Sequence, residues 1–201
     1  MNKSNRQNIY SNSRKLLDKS LSSIIQLPIV KQNELLAKRI SQLSEKLDKN
    51  EFQLVVLGQF KRGKTTLINA LLGKNILPTA VIPLTSIITI LKYGNTKKVT
   101  VLLKDGKNKQ ITLDTISDYV TEVKNPKNFK NVDKVIIEYS ADFLKNGIQI
   151  IDTPGVGSVY KHNTDVAYEF VPNADAGIFV VTADPPISES ELHFLKSVKN
   201  Y

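Results

Sequence analysis

The spacing of apolar residues separates a helical N-terminal segment from a longer region of short, mostly apolar runs. Residues 1–13 are rich in Asn and Ser, so they predict a loose polar tail. From Arg14 onward, apolar residues recur at three- and four-residue steps, which predicts a helix that is interrupted at Pro28. A second helix follows with a narrow apolar stripe that requires a partner, either the neighbouring domain or helices outside this chain. The stripe consists of Leu36, Ile40, Leu43 and Leu47.

After these helices, short apolar runs alternate with amphipathic segments and turn signals. Asp105-Gly106 predicts a hairpin turn, and Ser188 followed by Glu191 predicts the capping box of a final helix. Strands are predicted at 54–57, 99–103, 109–113, 135–139, 148–151 and 176–182, and helices at 65–72, 114–123 and 188–201. This alternation, with one antiparallel hairpin, predicts an α/β domain with a mainly parallel sheet flanked by helices. We therefore expect a polar tail and helical segment at 1–50 and the α/β domain at 51–201.

The composition excludes several classes of protein. Apolar residues make up 41% and charged residues 23% of the chain, values typical of a soluble globular domain. No apolar run approaches the ~20 residues that span a bilayer, and the N-terminus lacks the apolar core of a signal peptide. Because the chain has no cysteine, disulfides and thiolate metal sites are excluded, and His162 and His193 are too isolated to indicate a zinc site. We therefore expect a cytoplasmic protein.

Positive charge is concentrated near the N-terminus. Of the net charge of +9, residues 1–50 contribute +6, because 10 Lys and Arg stand there against 4 Asp and Glu. A basic segment of this kind favours acidic lipid surfaces or nucleic acid. It is also typical of a solvated helical face. Charge alone therefore does not identify a partner.

The strongest chemical signal is a complete P-loop, G-x-x-x-x-G-K-[ST], at residues 58–65. It follows a predicted buried strand and opens a predicted helix, the context in which loop N–H groups and the helix dipole bind phosphate oxygens. Lys64 would place a charge near the β- and γ-phosphates, and Thr65 would offer a hydroxyl to Mg²⁺. The loop therefore predicts a nucleoside triphosphate site. Its residues are Gly58, Gln59, Phe60, Lys61, Arg62, Gly63, Lys64 and Thr65, with Thr66 next in the helix.

A second signal, Asp-Thr-Pro-Gly at residues 152–155, directly follows the predicted strand 148–151. A carboxylate at the carboxyl end of a strand beside the P-loop strand can hold Mg²⁺, so Asp152 is a predicted ligand, directly or through water. Gly155 would turn its N–H toward the γ-phosphate and move when that phosphate leaves. The two motifs together predict a nucleotide-dependent switch.

A nucleotide switch of this kind also needs a mobile threonine between the two motifs, whose hydroxyl reaches Mg²⁺ and whose carbonyl helps to orient the attacking water. Thr85 is preferred because it follows Pro83-Leu84 and precedes the apolar pair Ile87-Ile88. Thr79 and Thr89 are the alternatives. The predicted metal ligands are therefore Thr65, Thr85 and Asp152.

These motifs resemble the bacterial dynamin-like proteins. The resemblance rests on residues 58–73, 77–85, 152–155 and 174–176, and it covers roughly residues 14–201. It implies a large GTPase that binds GTP or GDP with Mg²⁺ and self-associates as a homodimer or homo-oligomer through its GTPase face. It also implies peripheral membrane association, with GTP hydrolysis coupled to membrane remodelling, fusion or tethering, and no nucleic-acid partner. In this family, the helices before the P-loop join a helical neck.

The variable positions of the P-loop depart from some relatives. Eukaryotic dynamins have Gln-Ser where this chain has Phe60 and Lys61, which puts their charge-compensating cation in doubt here. Guanylate-binding relatives carry a catalytic arginine at the position of Lys61. Lys61 or the adjacent Arg62 would therefore stabilise charge on the transferring phosphoryl group. The alternative is that these residues face solvent or steer phosphate.

GTPases read guanine with an (N/T)-K-x-D segment, and no such tetrapeptide occurs in the chain. We expect the chain to end before that segment, so that the predicted sheet is incomplete. Guanine preference then comes only from the resemblance, and an ATPase stays open. Two other functions also fit: a non-hydrolysing nucleotide-switch or interaction module, and a translation- or ribosome-associated GTPase. The long helical segment before the P-loop and the insertion at 99–123 argue against the latter.

Overall fold

A computed structural model describes residues 3–77, 87–155, 170–184 and 186–199, without the side chains of residues 3–8 and 10. The chain divides into two compact units, Met1–Glu51 and Phe52–Tyr201. The predicted Thr85, its alternative Thr79 and the isolated His162 all lie outside the described residues.

In the first unit, the described residues form three helices joined by short turns. Its helices are Lys3–Ile24 (α1), Pro28–Lys31 (α2) and Glu34–Lys49 (α3). The Asn33 side chain caps α3 by accepting a hydrogen bond from the backbone N–H of Leu36 at 3.0 Å, and Asn50 ends it in the left-handed conformation with φ 52°. The guanidinium of Arg14 on α1 donates to the carbonyls of Leu47 and Asp48 at 2.7 and 3.0 Å. The two long helices are thereby joined at the carboxyl end of α3.

The prediction of a loose tail at 1–13 is wrong, because α1 already begins at Lys3. No glycine or proline precedes Pro28, so nothing in the sequence stops a polar, solvent-facing helix from extending toward the N-terminus. The described residues cover the predicted apolar stripe on α3 only in part. Ile40 is buried, whereas Leu43 is 53% exposed.

The second unit is built on a seven-stranded sheet with helices, which confirms the predicted P-loop-type α/β fold. The strands are Phe52–Leu57 (β1), Ile88–Tyr93 (β2), Lys98–Leu103 (β3), Asn108–Ile111 (β4), Val132–Tyr139 (β5), Ile148–Asp152 (β6) and Ala176–Phe179 (β7). Their order across the sheet is β4-β3-β5-β2-β6-β1-β7. The P-loop strand β1 pairs in parallel with both β6 and β7.

The sheet contains more antiparallel pairing than the single hairpin that we predicted. Strand β2, which was not predicted, runs antiparallel to β6 and parallel to β5, and β3 runs antiparallel to both β4 and β5. Strand β7 is shorter than the predicted 176–182, because the chain leaves the sheet after the Val180 N–H donates to the Leu57 carbonyl at 2.8 Å. The direction of a strand depends on its partners, which a local apolar pattern does not report.

The helices of the second unit include Lys64–Leu72 (α4), Ser117–Val120 (α5) and Glu189–Val198 (α6). Helices α4 and α6 bury β1 from opposite faces of the sheet. Val56 packs into one apolar cluster with Ile68 of α4, and its neighbour Val55 packs into the other with Phe194 of α6. Because successive strand residues point to opposite faces, this two-sided burial explains why β1 reads as a continuous apolar run. The strand therefore holds the loop that follows it on a rigid base.

The helices agree with the sequence in part. Helix α4 ends at Gly73, which has φ 68° in the left-handed conformation, as predicted. The capping box of Ser188 and Glu191 at the start of α6 is also confirmed. In contrast, the helix predicted at 114–123 is reduced to a 3₁₀ turn followed by the single turn of α5.

Candidate functional site

The predicted P-loop connects β1 to α4, and its two glycines occupy positions that favour glycine. Gly58 has φ +142°, and a Cβ atom on it would lie 2.5 Å from the Val180 carbonyl oxygen. Gly63 has φ +89° and precedes the first residue of α4. A side chain at Gly58 is therefore excluded by backbone contact with the chain after β7, while Gly63 is required for its conformation.

Lys64 is folded back onto the loop that carries it. Its ammonium group donates to the carbonyls of Gly58 at 2.9 Å and Gln59 at 3.2 Å, and the residue is buried. Burial lowers the pKa of Lys64, while the negative charges of Asp152 and Glu191 oppose that shift. An ammonium has three N–H donors. Within the described residues two are used by the loop, so the third can bind a phosphate oxygen.

The other loop residues differ in exposure. Gln59 and Phe60 are half-buried, and Lys61 is exposed. Lys61 has φ 64°, and its ammonium lies 5.5 Å from the centroid of the Phe60 ring, within the range of a cation–π contact. Thr65 is half-buried in the first turn of α4, and Thr66 beside it is exposed. Lys61 is thus the loop cation that faces solvent.

Arg62 points into the protein. Its guanidinium donates to both carboxylate oxygens of Glu191, with Nε–Oε1 at 3.0 Å and Nη2–Oε2 at 2.8 Å. It also donates to the Thr182 hydroxyl and, at 3.2 Å, to the Pro186 carbonyl. The side chains of Arg62 and Glu191 are only 5% and 1% exposed. The local sequence predicts Glu191 only as a capping residue and contains no signal for its ion pair with Arg62, because the two residues are 129 positions apart.

The predicted Asp-Thr-Pro-Gly motif begins at the end of β6, in parallel register with β1. Asp152 is buried, and its Oδ1 has no hydrogen-bond partner among the described residues. Burial raises the pKa of Asp152 to about 6, although the positive charge of Lys64 opposes the shift. A buried carboxylate oxygen without a hydrogen-bond partner destabilises the folded protein when no ligand is bound. It is well suited to a cation or to a water bound to one, which is the role predicted for this residue.

The rest of the motif is held against β1 and the P-loop. The Thr153 hydroxyl donates to the Val56 carbonyl at 2.8 Å, which fixes the turn to the neighbouring strand. A Cβ atom on Gly155 would lie 2.8 Å from the backbone nitrogen of Phe60 and 3.0 Å from its Cα. The two predicted motifs are therefore in backbone contact at Gly155, a proximity that leaves no room for a side chain.

Two other residues considered in the sequence, Thr89 and His193, differ in their position relative to this site. Thr89, an alternative to Thr85, is buried on β2 and pairs in register with Asp152 of β6. His193 is exposed on α6.

Within the described ranges, no cluster of three or more His, Cys, Asp or Glu residues could hold a metal ion, and no helix has the length and hydrophobicity needed to cross a bilayer.

The sheet, the glycine loop at the end of β1 and the acidic turn at the end of β6 define a P-loop nucleotide-binding domain of α/β type. Residues 54–200 match the dynamin family. The chain belongs to that family. The resemblance found in the sequence is thereby confirmed.

The relatives are much longer than this chain. An uncharacterized protein of Caldicellulosiruptor is 52% identical over 166 residues, which are 83% of this chain and 41% of that protein. The bacterial dynamin-like protein of Nostoc punctiforme is 36% identical over 164 residues, 77% of this chain and 24% of that protein. The fold is similar to a solved structure of an oligomerised bacterial dynamin pair, with a TM-score of 0.62 at 22% identity over 94% of this chain and 36% of that one. The chain thus spans less than half of each relative.

Proposed function

We propose that this domain binds GTP with Mg²⁺ and hydrolyses it as the GTPase domain of a bacterial dynamin-like protein. The observation that carries the proposal is the electrostatic interaction between two buried residues, Lys64 at the start of α4 and Asp152 at the end of β6. Membership of the dynamin family supports guanine as the base. The non-hydrolysing switch remains the second candidate, because phosphate binding and hydrolysis use different residues.

The roles follow from the chemistry of the side chains. Backbone N–H groups of the loop and the ammonium of Lys64 bind phosphate oxygens. The Thr65 hydroxyl and the Asp152 carboxylate supply oxygen ligands, directly or through water, which suits Mg²⁺. When bound, Mg²⁺ neutralises charge on the phosphates. Gly155 is proposed to donate its N–H toward the γ-phosphate, and its close approach to the P-loop at Phe60 supports this role.

Two positions in the catalytic proposal have different support. Thr85 is proposed as the threonine that helps to orient the attacking water on sequence grounds alone. Lys61 is proposed as the cation that stabilises the transferring phosphoryl group, because it is the exposed charge of the loop while the Arg62 guanidinium is buried against Glu191.

The nucleotide site is tested by replacing Lys64 with alanine. We expect the chain to bind a non-hydrolysable GTP analogue only with Mg²⁺, and Lys64→Ala to weaken this binding by about a hundredfold, because an ammonium contact to phosphate is lost. Lys74→Ala is the matched control, since Lys74 is an exposed lysine just beyond α4. Isothermal titration calorimetry gives the affinities. Equal losses in both variants, or binding by Lys64→Ala as tight as by the unchanged chain, would contradict the assignment.

An ATP analogue in the same titration tests the base. A clear preference for the GTP analogue shows that these 201 residues already read guanine. Equal affinities show that the chain binds phosphates without selecting the base, and a longer form of the protein is then compared. If neither the 201-residue chain nor a longer form binds the GTP analogue, the GTPase proposal is ruled out.

We further propose that the intact protein is cytoplasmic, self-associates and acts peripherally at membranes. The similar solved structure is described as an oligomerised pair in the long-range sensing and tethering of membranes. The +6 charge of residues 1–50, from 10 basic against 4 acidic residues, suits an anionic lipid surface. We expect the intact protein to cosediment with vesicles that contain phosphatidylserine. We expect it not to bind RNA supplied at the same concentration of negative charge. Binding to RNA without binding to the vesicles would favour the ribosome-associated alternative.

A further inference from the structure

The Arg62 guanidinium connects the P-loop to the segment that links β7 with α6. Thr182 lies just after β7, Pro186 precedes the helix, and Glu191 lies in its first turn. Glu191 Oε2, which accepts from Arg62 Nη2, also accepts hydrogen bonds from the backbone N–H and the hydroxyl of Ser188, each at 2.9 Å. One buried side chain of the loop is therefore bonded to three separate points along this segment.

The contacts use the shape of arginine as well as its charge. A planar guanidinium can form two parallel bonds to one carboxylate while its remaining N–H groups bond other acceptors, and a lysine ammonium cannot. Burial by itself would raise the pKa of Glu191, but the hydrogen bonds from Arg62 and Ser188 together outweigh it and hold the pKa below its usual range. The pair is thus charged and well satisfied, the condition under which burying two charges is tolerated.

The pair also bears on the shape of the phosphate loop. The backbone N–H of Arg62 donates to the Gln59 carbonyl at 3.3 Å, and that carbonyl also accepts from Lys64 at 3.2 Å. Fixing the Arg62 side chain therefore restrains the turn that closes over the loop. The backbone N–H groups of this turn are the groups proposed to bind phosphate.

We propose that Arg62 is a positioning residue, which through its buried ion pair with Glu191 holds the P-loop in the conformation that binds phosphate. This inference rests on the proposed nucleotide site. It assigns Arg62 a function that does not require contact with the nucleotide, and it makes Glu191, outside the P-loop, a determinant of nucleotide affinity.

The test is a double-mutant cycle of Arg62→Gln and Glu191→Gln, read by the affinity for the Mg²⁺-bound GTP analogue. We expect each single variant to bind about tenfold more weakly, because small displacements of positioning groups have effects of at least this size. The double variant should be no weaker than the worse single one, since both changes remove the same contact. Glu189→Gln is the matched control: it removes an exposed carboxylate from the same first helical turn, and should leave affinity unchanged.

A second readout does not depend on nucleotide. Hydrogen exchange of the peptide 58–66 in the nucleotide-free chain should be faster in Glu191→Gln than in the unchanged chain or in Glu189→Gln. If Arg62→Gln does not fold, Arg62→Lys replaces it in the experiment. Lysine keeps the buried positive charge but cannot form the two parallel hydrogen bonds to the Glu191 carboxylate.

Two outcomes would overturn the inference. Weaker binding by Arg62→Gln with normal binding by Glu191→Gln would show that Arg62 acts on the nucleotide directly. Lower melting temperatures with unchanged affinity and exchange, measured where every variant is folded, would show that the pair stabilises only the fold. Absence of nucleotide binding by the unchanged chain would refute the proposed site instead, and the exchange of 58–66 then decides whether Glu191 positions the loop.

Discussion

Replacing Gly58 with alanine should destabilise the second unit by at least about 3 kcal/mol and abolish nucleotide binding. The added Cβ would lie 2.5 Å from the Val180 carbonyl oxygen, a backbone atom that cannot rotate away. Relief requires β7 to separate from β1 near the point where the Val180 N–H donates to the Leu57 carbonyl at 2.8 Å. The same movement displaces the Gly58 carbonyl, which accepts from Lys64. Urea unfolding and calorimetry measure the two effects.

The control for this prediction separates contact from conformation. Gly106→Ala also places alanine at positive φ, +83°, but in an exposed hairpin where nothing lies within 4 Å of the added atom. It should cost only the ~1 kcal/mol of the unfavourable backbone conformation and leave nucleotide binding intact. Equal costs in Gly58→Ala and Gly106→Ala would show that the close approach of the P-loop to the chain after β7 is wrong.

The centre of the fold could be predicted because its signals are local. A buried strand, a glycine loop and a helix ended by Gly73 follow one another directly in the sequence, and each has its own physical signature. The capping box at Ser188 has the same character. By contrast, β2 could not be assigned, because its position between β5 and β6 depends on two pairings of opposite direction. The helix at the N-terminus was missed because polar composition does not distinguish a solvated helix from a tail.

In the candidate site, too, the residues of local motifs could be predicted from the sequence and the contacts between distant residues could not. Residue types and spacing predicted that Lys64 and Asp152 belong to one site, and parallel pairing of β1 with β6 brings their strands together. The partner of Arg62 could not be predicted, since nothing local links it to Glu191. From the sequence alone, Lys61 and Arg62 are therefore equivalent candidate cations. Their burial distinguishes them, because Lys61 is exposed and Arg62 is enclosed with the Glu191 carboxylate.

Replacing Asp152 with asparagine should have opposite effects on stability and on binding. The folded pKa of about 6 lies above the reference value of 3.8, so folding disfavours the ionised form of this buried side chain. The neutral asparagine removes that cost, which corresponds to about 2–3 kcal/mol above pH 6. The gain is reduced because Lys64 loses an attractive charge that opposes its own desolvation. We expect the nucleotide-free variant to be more stable than the unchanged chain at pH 8.

The sign of the pH dependence follows from the same shift. Below about pH 3 the unchanged chain has Asp152 protonated in both the folded and unfolded states, so the difference in stability between the two proteins should be smallest there. Between about pH 3 and pH 6 the unfolded state ionises first, so the advantage of the variant grows and reaches its full value above pH 6. Chemical unfolding at pH 4, 5, 6 and 8 measures this difference. Asp133→Asn is the control, because its side chain is 51% exposed on β5, and it should show no such pH-dependent gain.

Binding should move in the other direction. The asparagine amide lacks the negative charge that favours Mg²⁺, so affinity for the Mg²⁺-bound GTP analogue should fall by at least about tenfold while Asp133→Asn binds normally. A residue retained only for folding would not show a gain in stability together with a loss of ligand. If Asp152→Asn destabilises the nucleotide-free chain at pH 8, the unpartnered Oδ1 is satisfied in solution and the argument for a cation ligand fails. If the variant is more stable and binds Mg²⁺-nucleotide normally, Asp152 does not contribute to nucleotide or metal binding.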